Sequence, residues 1–109
     1  MATGRVGTAN ITTTAATTVY TVPATTFSVV SVNVVNRSSS AAALIRIAVS
    51  SSATPALDEW IEFDSSLVAN GVLERTGIVM DTAKLIVVQT PTATPALSVV
   101  VYGIETSTA

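Results

Sequence analysis

The feature that most constrains this chain is its texture. Short runs of Val, Thr and Ile alternate with polar residues and are cut at close intervals by turn signals. Thr and Val are both stiff at χ1 and suit a pleated surface better than a helix. The one alanine run, Ala41-Ala42-Ala43, leads straight into Leu44-Ile45-Arg46-Ile47-Ala48-Val49, whose period is two. The expectation is an all-β chain of about seven or eight strands, forming one antiparallel β-sandwich of jelly-roll-like form.

The expected strands begin with Thr17–Val22, ended by Pro23, which cannot donate to a ladder. Phe27–Val35 follows, with Val30, Val32 and Val34 on one face and Ser31 and Asn33 on the other. Next come Ala43–Ser50, with Ile45, Ile47 and Val49 inward and Arg46 outward, and then Glu59–Asp64. Asn70-Gly71 is the strongest hairpin signal, because both residues tolerate φ > 0. Gly71–Arg75 and Ile78–Met80 flank a bulge at Thr76-Gly77, and Lys84–Gln89 and Leu97–Ile104 complete the set.

The ends read differently. Residues 1–16 are Thr-, Ala- and Gly-rich without a strong period, so they are expected as an extended N-terminal arm that orders on a partner. Residues 17–105 form the sandwich and 106–109 a short polar tail. Ala53-Thr54-Pro55-Ala56-Leu57 recurs as Ala93-Thr94-Pro95-Ala96-Leu97, each time where a Ser/Thr-rich loop enters a strand. Five residues of such simple composition do not argue a duplication.

Composition narrows the role. A length of 109 residues fits one domain. Only 11% of residues are charged while 49% are apolar, against roughly 25% charged in ordinary soluble domains. No stretch approaches the roughly 20 apolar residues of a membrane span. No charged segment leads into a hydrophobic one after Met1, so no secretory signal and no membrane partner are expected. Burial against other subunits is the remaining outlet for so much apolar surface. The five basic residues, Arg5, Arg37, Arg46, Arg75 and Lys84, are scattered on a chain of net charge −2, so direct nucleic-acid binding is not expected.

The chain has no Cys and no His. That removes thiolate and imidazole metal ligands, Cys or Ser–His nucleophiles and imidazole acid–base chemistry. No Gly-x-Ser-x-Gly elbow and no Gly-rich phosphate loop occurs. No enzymatic activity, cofactor or metal site is expected. The one dense acidic cluster is Asp58, Glu59, Glu62 and Asp64. In a regular strand Asp58, Glu62 and Asp64 share a face with Trp60, a constellation a sugar-binding or glycosidase site could use. The favoured reading is a solvated face whose acids pair with Arg46 or Arg75 across the sheet.

The late strands are apolar on both faces: Leu85 and Val87 against Ile86 and Val88, and Val99 and Val101 against Val100 and Tyr102. A sheet with one wet face alternates instead. These strands are therefore expected to meet protein on both sides. Trp60, Leu85, Val87, Val99, Val101 and Tyr102 are the candidate subunit-interface residues, with Trp60 as an aromatic anchor.

Certain segments, in order, carry a resemblance. They are Tyr20-Thr21-Val22-Pro23, a Val-rich strand ending Val35-Asn36-Arg37-Ser38-Ser39, Ile45-Arg46-Ile47-Ala48-Val49-Ser50 and Glu59-Trp60-Ile61-Glu62-Phe63-Asp64, then Gly71-Val72-Leu73-Glu74-Arg75-Thr76-Gly77 and Tyr102-Gly103-Ile104-Glu105. This order resembles the small β-sandwich virion structural proteins of tailed bacteriophages, cyanophages especially, over roughly residues 17–105. The resemblance implies a virion component without catalytic residues. Its most suitable form is a capsid decoration or cement protein on the outer capsid surface, a homo-oligomer, commonly a trimer, bridging major capsid protein subunits. Arg5, Val6 and Ile11 of the arm would then lie on the capsid. The chain carries no shaft of the kind fibre proteins have, which favours the head over a tail, baseplate or fibre location. A carbohydrate-binding module built on Trp60, Asp58 and Glu62 is the more distant alternative.

Overall fold

The computed structural model describes residues 2–108 and contains eight strands: β1 (Thr3–Ile11), β2 (Thr17–Thr21), β3 (Thr26–Asn36), β4 (Ala43–Ser50), β5 (Trp60–Leu67), β6 (Val72–Met80), β7 (Leu85–Gln89) and β8 (Leu97–Ser107). Two four-stranded sheets result, ordered β1-β8-β3-β6 and β2-β7-β4-β5. Pairing is nested and antiparallel throughout: β1 with β8, β2 with β7, β3 with β6, β4 with β5. The chain is one ribbon, folded back at the β4–β5 loop and rolled up, which brings β8 against β3 and β7 against β4. This strand order is that of a jelly roll, so the expected all-β sandwich is the observed fold.

The core lies between the sheets and is mostly β-branched, with Tyr20, Ala43, Leu67, Met80 and Leu97 completing it. Val30, Val32 and Val34 of β3, Val99 and Val101 of β8, Ile45 and Ile47 of β4, and Ile86 and Val88 of β7 are each at most 1% exposed. Each such side chain contributes roughly 1.5–3 kcal/mol by burial.

Residues 3–11 do not form an arm that waits for a partner. They are β1, an edge strand with Ile11 2% exposed and Val6 and Ala9 packed on the core. Its periodicity is hidden because the register slips between Arg5 and Gly7, making Val6 the extra residue of a bulge. At Gly7 the backbones of β1 and β2 approach so closely that a Cβ would sit 2.2 Å from the Val19 carbonyl oxygen. In the expected polar tail Thr106 and Ser107 are likewise strand, pairing with Phe27 and Thr26, while Ala109 lies outside the described residues.

Asn70-Gly71 does make a tight turn, with Asn70 at φ 59° and the Gly71 N–H donating to the Val68 carbonyl at 2.9 Å. It is not a hairpin: it carries the chain from β5 in one sheet to β6 in the other. The two Ala-Thr-Pro-Ala-Leu copies are not equivalent either. Leu97 opens β8 in the core, whereas Leu57 stands 93% exposed in the β4–β5 loop.

All four edge strands carry bulges. The extra residues fall in β1, in β2 between Thr18 and Tyr20, in β6 between Arg75 and Ile78, and twice in β5. The central pairs β3–β8 and β4–β7 run without a slip. Bulged edges are poor templates for another chain's strand, so this sandwich blocks edge-to-edge pairing on both sheets.

Candidate interaction surface

Because Val30, Val32 and Val34 point inward, the alternate residues of β3 face out from the first sheet. The register sets Val29 level with Ile104 on β8 and Val79 on β6. These three are 40%, 55% and 71% exposed, and Phe27, one step along β3, is also exposed. The result is a contiguous apolar patch across three strands at one end of the outer face, the kind of patch that marks an interaction site. At the next level Arg5, Tyr102 and Ser31 lie side by side. The Tyr102 hydroxyl donates to Glu74 on β6, and that carboxylate pushes the phenol's pKa up. The far end is mixed, with Asn10 and Ser98 level with Val35 and the exposed Val72.

Of the residues expected at subunit contacts, Tyr102 lies on this face. Val99 and Val101 do not: strand alternation turns them into the core, at 1% and 0% exposure. Val87 lies between two core residues, Ile86 and Val88, and outside the core cluster, yet it is 0% exposed. Ala48, beside it in the register, is equally buried, with Thr18 and Trp60 level on either side. That face is therefore sealed at Val87 by this chain itself. Leu85 and Trp60 are half-buried. Among the expected capsid contacts, Ile11 and Val6 belong to the sandwich interior and its margin, and Arg5 is exposed.

The acidic cluster is dispersed by the two β5 bulges. Trp60 is level with Ala48 on the outside, whereas Glu62 is level with the core residue Ile47 and reaches Arg75 of the other sheet at 2.8 Å. Trp60 and Glu62 thus do not share a face, and the sugar-site constellation is not assembled. Glu62 also accepts from the Ser65 hydroxyl, and these contacts lower its pKa. Asp64, at φ 56° in the bulge, receives the Arg46 guanidinium at 2.6 and 3.2 Å, which lowers its pKa. Arg46 in turn lies 4.2 Å over the Phe63 ring, which meets Trp60 edge-on. Glu59 accepts from Ala56 N–H, Ser51 N–H and the Ser50 hydroxyl, organising the β4–β5 loop. Every carboxylate from Glu59 to Asp64 is engaged structurally.

No family model, characterised protein or solved structure matches this chain.

A shallow cleft of about 200 Å³ opens between the β3–β4 and β7–β8 loops, lined by residues such as Asn36, Ser38, Ala41, Thr92 and Pro95. No ionisable side chain lines it, so it offers shape without acid–base chemistry. The exposed patch of Phe27, Val29, Val79 and Ile104 is not among the late-strand residues expected at subunit contacts. Its signal was present in β3, where outward Phe27 and Val29 break the polar alternation kept by Ser31 and Asn33.

Proposed function

We propose that this chain is a non-enzymatic structural protein of a phage virion that holds neighbouring subunits together through the outer face of its first sheet. The observation that carries the reading is the apolar patch of Phe27, Val29, Val79 and Ile104 on a sandwich whose four edges are bulged. Contact with other protein then runs through a face and not through strand addition. Jelly rolls recur as viral coat domains, a fold-level analogy that adds to the sequence resemblance. Cementing of the capsid, by bridging major capsid protein subunits, is the form that resemblance favours. A module that binds only the assembled lattice stabilises it by mass action.

Mass spectrometry of separated heads and tails is the test. The chain is expected in the head fraction, and purified chain is expected to bind assembled shells and raise their heat resistance. Recovery from tails alone replaces the cement reading with a tail or baseplate role. Absence from both overturns the virion reading.

A further inference from the structure

We infer that the outer face of the first sheet is covered by a second copy of this chain, packed face to face about a two-fold axis parallel to β3 and β8. This rests on the reading above that the face is a docking surface, and it names the occupant. The centre of the face is the β3–β8 pair, unbroken over its whole register from Thr26–Ser107 to Asn36–Leu97. A two-fold axis between these strands exchanges left and right while keeping each residue at its level. Val29 of one copy then lies over Ile104 of the other, and the reverse, so the centre of the patch meets itself, while Val79 and Phe27 fall over the levels of Thr3 and Thr106. An axis perpendicular to the strands would instead reverse the levels and lay the apolar end over the mixed one, with Val29 and Ile104 no longer opposite each other.

Charge follows the same symmetry. Arg5 sits on β1 at one edge of the face and, among the described residues, forms no ion pair. Glu74 sits on β6 at the opposite edge, met by the Tyr102 hydroxyl and, among the described residues, by no cation. Their levels differ by one step along the face, Arg5 with Ser31 and Glu74 with Asn33, roughly 7 Å in a strand and within reach of an arginine. The exchange brings β1 over β6, and so each Arg5 toward the other copy's Glu74, giving two pairs that flank an apolar centre. Four strands at about 4.8 Å spacing and some 35 Å of length give a face of roughly 650 Å². That approaches the ~800 Å² per partner of a standard interface.

Sedimentation equilibrium of the full chain at tens of micromolar is expected to give twice the 11.1 kDa chain mass. V79E and I104E alter exposed side chains and are expected to weaken the dimer at least tenfold while leaving the circular dichroism spectrum unchanged. R5E and E74R should each weaken it, and the double swap should restore it. A monomer or a trimer overturns the two-fold, as does a dimer indifferent to V79E and I104E. The same variants separate this from the broader reading. If the chain is monomeric but V79E and I104E abolish binding to phage particles, the face docks on another virion protein and only the two-fold falls. If neither self-association nor particle binding responds, the face is not the docking surface.

Discussion

The hydroxyl of Tyr20 donates to the Glu105 carboxylate at 2.7 Å, joining β2 in one sheet to β8 in the other. Ser28 on β3 meets the same hydroxyl at 2.6 Å, and the other Glu105 oxygen accepts from the Ala2 N–H. Four segments from the two ends of the sequence thus share one polar knot at the sandwich margin. Removing the hydroxyl by Tyr20→Phe leaves Glu105 and Ser28 without this partner. A loss of about 1–2 kcal/mol is expected in urea unfolding.

The same knot sets an alkaline limit. Burial, reinforced by Glu105, pushes the Tyr20 pKa up to about 12, whereas an unfolded phenol titrates near 10. The folded state favours the neutral form, so this contribution is complete below about pH 10 and lost as pH rises toward 12. Thermal melts across that range should fall for the native chain, and the fall should be shallower for Tyr20→Phe.

Acid works through the carboxylates with the opposite sign. Glu59, Glu62, Asp64 and Glu105 all have lowered pKa values, held by backbone N–H groups, Ser65, Arg46 and Tyr20 respectively. Their stabilisation is complete above the ordinary carboxylate range, about 4, and is lost as pH falls through the lowered values. The melting temperature is expected to be flat between about pH 5 and 8 and to drop below about 4. Glu59→Gln should flatten part of that drop.

At the opposite end of the sandwich, buried Asn36 donates its amide to the carbonyls of Ala41 and Leu67 and accepts from the Ser38 N–H. Asn36→Ala strands these backbone groups and should cost about 1–3 kcal/mol. Slower-protected amides should survive in β3 while Ser38 and its neighbours exchange faster in hydrogen-exchange measurements.

Gly7→Ala tests the closure of the β1–β2 side. A methyl there meets the Val19 carbonyl oxygen at 2.2 Å, so one strand must move. About 1–3 kcal/mol of destabilisation is expected by urea titration, as for other overpacked sites.

Strands β3 and β4 were legible because the core-facing alternation of Val30, Val32 and Val34, and of Ile45 and Ile47, runs unbroken. Strand β1 was not, because its bulge spaces Val6, Ala9 and Ile11 unevenly, and an uneven apolar pattern looks like a disordered arm. The β5 bulges misled in the same way, splitting Trp60 from Glu62 when strict alternation puts them together. Two-sided apolar strands also pointed in the wrong direction. Period-two reading finds the two faces of β7 and β8 but not which one the chain itself covers, and Val87 is sealed where Ile104 is open. Rolling of the ribbon decides that, and the covering residues lie far away in sequence.

The nested pairing has a consequence for how this polypeptide acquires its shape. Only β4 and β5 are neighbours along the chain within one sheet. Every other union waits for a longer loop to close, ending with Thr3 beside Ile104. High contact order of this kind slows folding to the millisecond-to-second range. On the ribosome β1 emerges well before β8 and waits for it, so the rim that shields the Val99 and Val101 flank is assembled only once β8 has been made.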